Sequence, residues 1–445
     1  MENNSIIVNG GGPTSVINYT NIGIAEVLSQ ANDGRTFFAR NGIESLVNGG
    51  LYEVSFTNEL LAHLTTTPSS WLGSSRYKLK RGDERLVIER CKELDVKRLF
   101  LVGGDDTLQT ANTISQYMGA EGVRYPIVMG CPKTIDNDLP DKVVNDSPDK
   151  VKNGTLNSIL EGGVIYKNGY VQCFDFCPGF PSAATFVANK VLGLGVEAHA
   201  LRRHYIVEVM GRDVGWLTAA AKVAEKFGYG PHCIIPPEVP FDMEKFKDLV
   251  LFRNELTRWG IYVVSEGIKD IETGEVILKT GSIADDFREE TFRGVSYHLQ
   301  SVIDAVAKKK DIKIDVRAIK FGELQRIATE HNTEVDKDVA KKVGIDAARW
   351  ALKEKSGYVV TIKREIASDG SPYWITGLVK TEQVAGKKRG LDDRYISNPV
   401  ELGEFEGRKV TTLTIDKSYL GYLNPLLGGI RPVARPIEEI GRRVS

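Results

Sequence analysis

The chain has 445 residues, 42% of them apolar and 26% charged, with 44 glycines against 17 prolines. At roughly 100 to 200 residues per domain this predicts two to four domains with substantial cores, and it excludes disorder and collagen-like architecture as overall descriptions. Lys and Arg total 58 against 59 Asp and Glu, a net charge of -1, so no global field draws the chain to nucleic acid or anionic lipid and anion recognition must be local.

The N-terminus, MENNSIIVNGGG, has no basic or apolar leader, and no apolar run approaches the ~20 residues of a membrane helix; a soluble, cytoplasmic chain is expected. The first predicted strand, Ile6 to Val8, runs into Gly10, Gly11, Gly12 and Pro13 and then into a helical segment from Ser15 to Leu28. A glycine turn at a helix N-terminus exposes N–H groups to a phosphate and adds the positive end of the helix dipole. The same glycines also suit a simple tight turn, and both readings stand at this point.

The next strand, Arg98 to Val102, leads into Gly103, Gly104, Asp105, Asp106 and Thr107 and a helix-like TLQTANTISQYM. Two glycines let a polyphosphate approach the backbone, Asp105 suits a Mg²⁺ bridging phosphate oxygens, and Thr107 can cap the helix while donating to phosphate. A solvated turn with two acidic caps is the plain alternative. After the strand Tyr125 to Met129 come Gly130, Cys131, Pro132, Lys133, Thr134, Ile135, Asp136, Asn137 and Asp138. In an extended segment Asp136 and Asp138 point the same way and can divide proton abstraction from metal or hydroxyl binding, while Lys133 supplies a compact charge for phosphate. An Asx-rich turn would explain Asp-Asn-Asp but leave Pro-Lys-Thr without a reason.

Asp141 to Tyr170 is polar and glycine-punctuated, a hairpin excursion or a loop, and contains Asn153-Gly154-Thr155, a glycosylation acceptor in form and inert in cytoplasm. Further apolar runs, Tyr205 to Val209, His232 to Ile235, Ile261 to Val264, Val316 to Phe321 and Tyr358 to Ile362, alternate with helix-length segments. That alternation predicts an α/β chain with parallel sheets covered on both faces and ligands at the carboxyl ends of the strands. The five cysteines, Cys91, Cys131, Cys173, Cys177 and Cys233, are odd in number and scattered, unlike a disulfide framework. Cys173 and Cys177 with His199 and His204 are too loosely spaced for an ordinary zinc site, and packing is the expected role of the cysteines. The Gly386 to Gly390 patch and the Gly/Pro-rich Asn424 to Pro436 stretch carry no assignable chemistry.

The run PKTIDND, with GGDDT upstream, the opening GGGPTSVIN and the later EVMGRDVGWLTAAAK, resembles the phosphofructokinase family and, within it, the pyrophosphate-dependent branch. GGD alone would also suit nicotinamide-dinucleotide kinases and lipid kinases of the same superfamily; PKTIDND and MGR argue against them. Pro178-Gly179-Phe180 with Ser182-Ala183-Ala184 looks like the family's PGFGSAA helix start. The resemblance implies two Rossmann-like three-layer domains, a phosphoryl-donor domain of 1–140 completed by 331–445 and a sugar-phosphate-binding domain of 141–330. It implies Mg²⁺-assisted, reversible transfer from diphosphate to the C1 hydroxyl of fructose 6-phosphate.

Carried over residue by residue, the resemblance makes Asp136 the base for the C1 hydroxyl, with Thr134 and Asp138 beside it, and Asp105 the Mg²⁺ ligand. Gly11, Lys133 and Arg76, the last in a Gly73-Ser74-Ser75-Arg76 segment similar to the family's GSxR, would hold the phosphoryl donor together with Asp106 and Thr107. Met210, Gly211 and Arg212 would lie along the sugar phosphate, joined by Glu238 of a Pro-Glu pair. Arg203, Arg317 and Arg326 match the arginines of the 6-phosphate, Arg203 and Arg317 coming from a neighbouring subunit, so a homodimer or homotetramer with shared active sites is expected. A strand of about seven residues at ~3.3 Å each agrees, because it sets Arg203 roughly 20 Å from Arg212 within one chain.

In the ATP-dependent branch a glycine stands where Asp106 is and another where Lys133 is; a carboxylate at the first would repel a nucleotide α-phosphate, so both point to diphosphate. Three departures bear on the sugar: Glu323 replaces the family's His or Tyr, IATEH follows Arg326 in place of GGSP, and Pro140 to Gln172 is additional. The alternatives are an ATP-dependent phosphofructokinase, a kinase for a related sugar phosphate such as sedoheptulose 7-phosphate, and a non-catalytic regulatory subunit, the last opposed by the intact Asp105 and Asp136. Neither nucleic acid nor membrane is expected as a partner.

Overall fold

Largely apolar, buried strands build one mainly parallel and one all-parallel sheet, as expected where helices cover each side. The computed structural model describes residues 3–144, 166–167, 170–277 and 294–440. Two units are present, Met1–Ser182 with Arg326–Arg389 and Ala183–Gln325 with Gly390–Ser445.

The first unit holds a seven-stranded sheet in the order Pro372–Lys380, Tyr358–Ile366, Ile127–Pro132, Val96–Gly103, Asn4–Asn9, Thr36–Ala39, Leu51–Glu53. The two outermost strands run antiparallel and the rest parallel. Ile6, Val8, Leu99, Leu101 and Val128 pack on Val87, Ile88 and Ile114, a continuous apolar layer under the sheet. On the other side, helix Ile17–Ala31 meets helix Glu334–Leu352 backbone to backbone. A Cβ on Gly344 would overlap the Thr20 carbonyl and one on Gly23 the Lys341 carbonyl, so glycine is required at both crossing points.

The second unit has a four-stranded, all-parallel sheet in the order Cys233–Ile235, Gly260–Ser265, His204–Val209, Val316–Lys320. Ile206, Tyr262, Val264 and Val316 bury against Phe246, Val250, Leu299 and Ile303 of its helices.

All eight strands read from the sequence lie in these two sheets, and the two helices expected after glycine turns are Ile17–Ala31 and Asp105–Ala120. Unit boundaries differ from the expected domain limits. Val143, Cys173, Phe174 and Cys177 pack on Leu108, Leu139, Val359 and Val379 of the first unit, so the chain leaves that unit after Ser182 and not near 140. The segment after Gly390 packs on the second unit and not the first: Phe405 and Val410 enter its core, the Tyr419 hydroxyl donates to the Trp216 carbonyl, and the Gly428 N–H donates to Thr185 Oγ1.

Of the excursion, Lys142–Val144, Tyr166–Lys167 and Tyr170–Gln172 form a small antiparallel sheet, which is the hairpin alternative; Asn153-Gly154-Thr155 lies outside the described residues. All five cysteines are free and buried, and the described residues contain no cluster of three or more potential His, Cys, Asp or Glu metal ligands. None of the described helices is long and apolar enough to cross a membrane.

Candidate active site

Within the first unit the ends of three neighbouring strands, Asn4–Asn9, Val96–Gly103 and Ile127–Pro132, deliver the three motifs to one edge of the sheet. The glycine turn is tied down by its own backbone. Gly10 N–H donates to Val102 O (2.8 Å), Gly11 N–H to Ser75 O (2.9 Å), and Ser74 Oγ donates to Gly11 O (2.7 Å). Gly11 takes φ 74°, the left-handed region that only glycine enters freely. A pocket of about 310 Å³ opens here, lined by Gly11, Gly12, Ser74, Arg76 and Arg326 among others.

Lys133 lies under this turn, 1% exposed. Its ammonium donates to Gly10 O (3.0 Å) and Gly12 O (2.5 Å) and stands 3.8 Å from where a Cβ of Gly11 would be. Burial, reinforced by Arg326 and Arg76, lowers its pKa to about 8, against the opposing pull of Asp136 and Asp138. The lysine therefore lies directly beneath a turn that forms part of the pocket wall and holds that turn in shape. Arg326, assigned by resemblance to the sugar 6-phosphate, lies with this group: its Nη1 is 2.5 Å from the place of a Cβ on Gly12.

The second motif begins helix Asp105–Ala120 with Gly104 as N-cap and no side-chain cap. Thr107 is thus inside the first turn and does not cap the helix; its side chain wedges, 7% exposed, against Gly103 and Gly10, where any Cβ would overlap it. Asp105 Oδ1 accepts from Gly386 N–H (2.8 Å), and burial raises the pKa of its carboxyl. Asp106 faces outward and pairs with Lys78 (3.1 Å).

The third motif is not extended. Asn137 adopts φ 59°, so the residues flanking it do not alternate as strand geometry would have them, and Asp136 and Asp138 are placed by a turn. Asn137 is fully buried, and its Oδ1 accepts from Cys177 N–H (3.0 Å) and Arg389 Nη2 (2.9 Å). Asp136 N–H donates to Thr134 Oγ1 (3.1 Å), and Thr134 N–H to Pro178 O (3.1 Å). Burial raises the pKa of Asp138, with Lys388 opposing, its Nζ 3.8 Å from Asp138 Oδ2.

Sequence reasoning missed the contribution of Gly386–Arg389. Its clustered charge between two glycines was visible; its proximity to Asp105 and Asp138 was not.

Within the second unit, strand His204–Val209 delivers Met210, Gly211 and Arg212 at its carboxyl end. Met210 N–H donates to Gln325 Oε1 (3.3 Å), Ser265 Oγ donates to Gly211 O (2.7 Å), and Gly211 has φ 124°. Glu238 Oε1 accepts from Gly215 N–H (2.9 Å) and Leu391 N–H (2.7 Å), while Oε2 is buried with no hydrogen-bond partner. Burial raises the pKa of this carboxyl. An unsatisfied buried carboxylate oxygen is costly, and a hydroxyl donor would relieve it.

Arg203 and Arg317 lie at the other end of the same sheet, where Arg317 is in register with Tyr205. Both flank Asp315, at 3.2 Å from Arg203 Nε and 3.0 Å from Arg317 Nε. The second unit therefore brings Met210, Gly211, Arg212 and Glu238 to one sheet end and leaves Arg203 and Arg317 at the opposite one.

The phosphofructokinase family matches residues 4–144 and 168–351. A pyrophosphate--fructose 6-phosphate 1-phosphotransferase of Rhodospirillum rubrum is 32% identical over 98% of this chain and 96% of its own length. The protein of the same name from Xanthomonas campestris is 30% identical over 99% and 96%. The crystal structure of a pyrophosphate-dependent phosphofructokinase from Marinobacter aquaeolei superposes with a TM-score of 0.74 at 26% identity, covering 96% of this chain and 92% of that one. With its glycine and aspartate turns at neighbouring strand ends and a family match over most of its length, the chain belongs to the phosphofructokinase family.

Proposed function

We propose that the chain is a pyrophosphate-dependent 6-phosphofructokinase that moves a phosphoryl group reversibly from diphosphate to the C1 hydroxyl of fructose 6-phosphate, giving fructose 1,6-bisphosphate. The observation that carries this reading is Lys133, whose ammonium is buried beneath the glycine turn where the ATP-dependent branch has glycine. Asp106, the companion marker, stands at the first turn of helix Asp105–Ala120, where a carboxylate would repel a nucleotide α-phosphate. The named relatives, alike over nearly the full length, support the same donor and sugar.

Phosphoryl transfer needs positioning and charge neutralisation more than covalent help. Gly11, Arg76, Lys133 and Arg326 bind the donor's oxygens. Asp136 takes the proton of the C1 hydroxyl, with Thr134 and Asp138 ordering its turn. Met210, Gly211 and Arg212 lie along the sugar phosphate, and Glu238 accepts from a sugar hydroxyl through Oε2.

The donor set fits Mg²⁺, which binds through one or two carboxylates and substrate phosphates; the described residues form no three-ligand cluster, and Asp105 is the carboxylate that would hold it. When bound, that ion offsets charge on the phosphate oxygens. Arg203 and Arg317 reach the sugar 6-phosphate of a second subunit, because their strand end is the far one from Arg212 and a two-fold axis exchanges such ends.

The test is direct. Purified protein with fructose 6-phosphate, Mg²⁺ and either diphosphate or ATP should form fructose 1,6-bisphosphate with diphosphate. A preference for ATP would sink the donor assignment.

A further inference from the structure

The segment Gly386–Arg389 belongs to the first unit and lies on its aspartate-bearing turns. Its backbone is fixed at both ends: Gly386 N–H donates to Asp105 Oδ1 (2.8 Å), and Arg389 N–H donates to Asp138 O (2.8 Å). Arg389 secures it further. Its guanidinium donates to Asn137 O (2.9 Å), Phe174 O (2.8 Å), Asp175 O (3.0 Å) and Asn137 Oδ1 (2.9 Å). Five donors in a rigid fork make such a contact set a geometric clamp, which a lysine would not reproduce.

What this clamp presents is Lys388. Its Nζ is 3.8 Å from Asp138 Oδ2, an ion pair longer than a hydrogen bond, and its side chain is 44% exposed whereas that of Asp138 is 10% exposed. A half-exposed cation beside a buried carboxylate is within reach of a more highly charged oxyanion that arrives at these turns. The charge balance of the region calls for such a cation. Asp105, Asp136 and Asp138 put three carboxylates on these turns, while Lys133 is engaged below the glycine turn by Gly10 O and Gly12 O. A diphosphate brought among three carboxylates needs cationic contact on the acceptor side as well as on the donor side.

We propose that Lys388 is a further catalytic residue, whose ammonium contacts the oxygens of the phosphoryl group as it passes from donor to sugar, with Arg389 as the positioning residue that holds it there. This rests on the reading of the chain as a diphosphate-dependent kinase. Lys388 pairs with Asp138, two residues along the chain from the proposed base.

The experiment uses the full-length protein in three forms: wild type, Lys388→Met and Lys388→Arg. Turnover with fructose 6-phosphate and diphosphate is measured alongside calorimetric binding of Mg²⁺-diphosphate and thermal unfolding. For Lys388→Met we expect kcat to fall ~10²-fold or more, the range for losing one transition-state charge contact. Diphosphate binding should weaken several-fold, the KM for fructose 6-phosphate should stay within threefold, and Tm should be unchanged. Lys388→Arg should recover part of kcat. Added alkylammonium ions should partly rescue the methionine variant, which a purely structural lysine would not allow.

Turnover within threefold of wild type in Lys388→Met, together with unchanged diphosphate binding, overturns the proposal. So does a loss that tracks a fallen Tm and is not rescued. Should wild type bind diphosphate yet leave fructose 6-phosphate untouched, the functional reading fails. The binding arm then still decides Lys388, since unchanged affinity in the methionine variant removes it from the donor site.

Discussion

The two units handle charge in different ways. In the first, the charged groups are held by backbone: Lys133 by two carbonyls of the glycine turn, Asp105 by an amide of a distant segment, Arg389 by three carbonyls and an asparagine. In the second, Arg203 and Arg317 flank one acid, Asp315, at the sheet end opposite to Arg212. Backbone-held charges are preorganised within a single chain; Arg203 and Arg317 share one acid at the sheet end far from Met210 to Arg212. On the proposed function, the donor half is complete within one subunit and the sugar-phosphate half draws on two.

The largest expected effect breaks the self-contained half. Asp136→Asn should cut kcat by ~10²- to 10⁴-fold, the usual cost of a lost general base, with sugar-phosphate affinity within a few fold. Near-normal turnover would remove Asp136 from the chemistry.

Next comes the divided half. Arg203→Ala should lower kcat/KM for the sugar phosphate by ~10- to 100-fold, the scale of one charge-assisted phosphate contact. Mixed with Asp136→Asn under conditions of subunit exchange, it should regain activity, because some dimers then carry one intact site. Demonstrated exchange without recovery would place Arg203 outside the partner's site.

A smaller effect concerns the donor. Asp106→Gly should make ATP turnover measurable, and Lys133→Gly should mainly weaken diphosphate. If both act on one donor subsite as proposed, the double variant should deviate from additivity.

Burial holds the Lys133 pKa near 8, so its charge is lost as pH rises through about 8, and kcat/KM for diphosphate should decline there; Lys133→Met should abolish that limb. The sign for stability is opposite. The unfolded lysine keeps its proton to higher pH, so above about 8 the unfolded chain binds more protons and this group's contribution to stability increases with pH.

The smallest effect is structural. Asp336 accepts from Gly179 N–H (2.8 Å), Ser182 N–H (3.1 Å) and Ser182 Oγ (2.5 Å) at the start of helix Phe180–Leu201. Asp336→Ala should cost about 1–3 kcal/mol and lower Tm by a few degrees in calorimetry, with diphosphate affinity unmoved.

Legibility in the sequence followed locality. Apolar runs such as Arg98 to Val102 announced strands because both faces of a parallel strand must be apolar, and the glycine and aspartate turns followed them directly. Pro372–Lys380 and Thr36–Ala39 do not read as strands; the former is an edge strand, and only three of its nine residues are buried. The extended geometry expected for Asp136 to Asp138 gave way to the left-handed Asn137, which long-range contacts with Cys177 and Arg389 sustain. Thr107 as a cap gave way to Gly104 because its side chain fills the space left by two glycines. The Gly386–Arg389 segment was opaque for the same reason: its partners lie more than 200 residues earlier, and no local pattern encodes them.

The chain passes between the units after Ser182, after Gln325 and after Arg389. Ordinary interdomain connections are where engineers insert tags, cut chains or relocate termini, because little depends on their backbone. Here each junction adjoins a long-range hydrogen bond: Ser182 bonded to Asp336, Gln325 holding the amide of Met210, Arg389 gripping the aspartate turn with Leu391 bonded to Glu238 just beyond. A break after Ser182 would cut helix Phe180–Leu201 among its buried residues, and an insertion after Gln325 or Arg389 would pull at the contacts of Met210 and of the aspartate turn, so tolerated sites for new termini should be sought at exposed turns such as Ser368–Gly370.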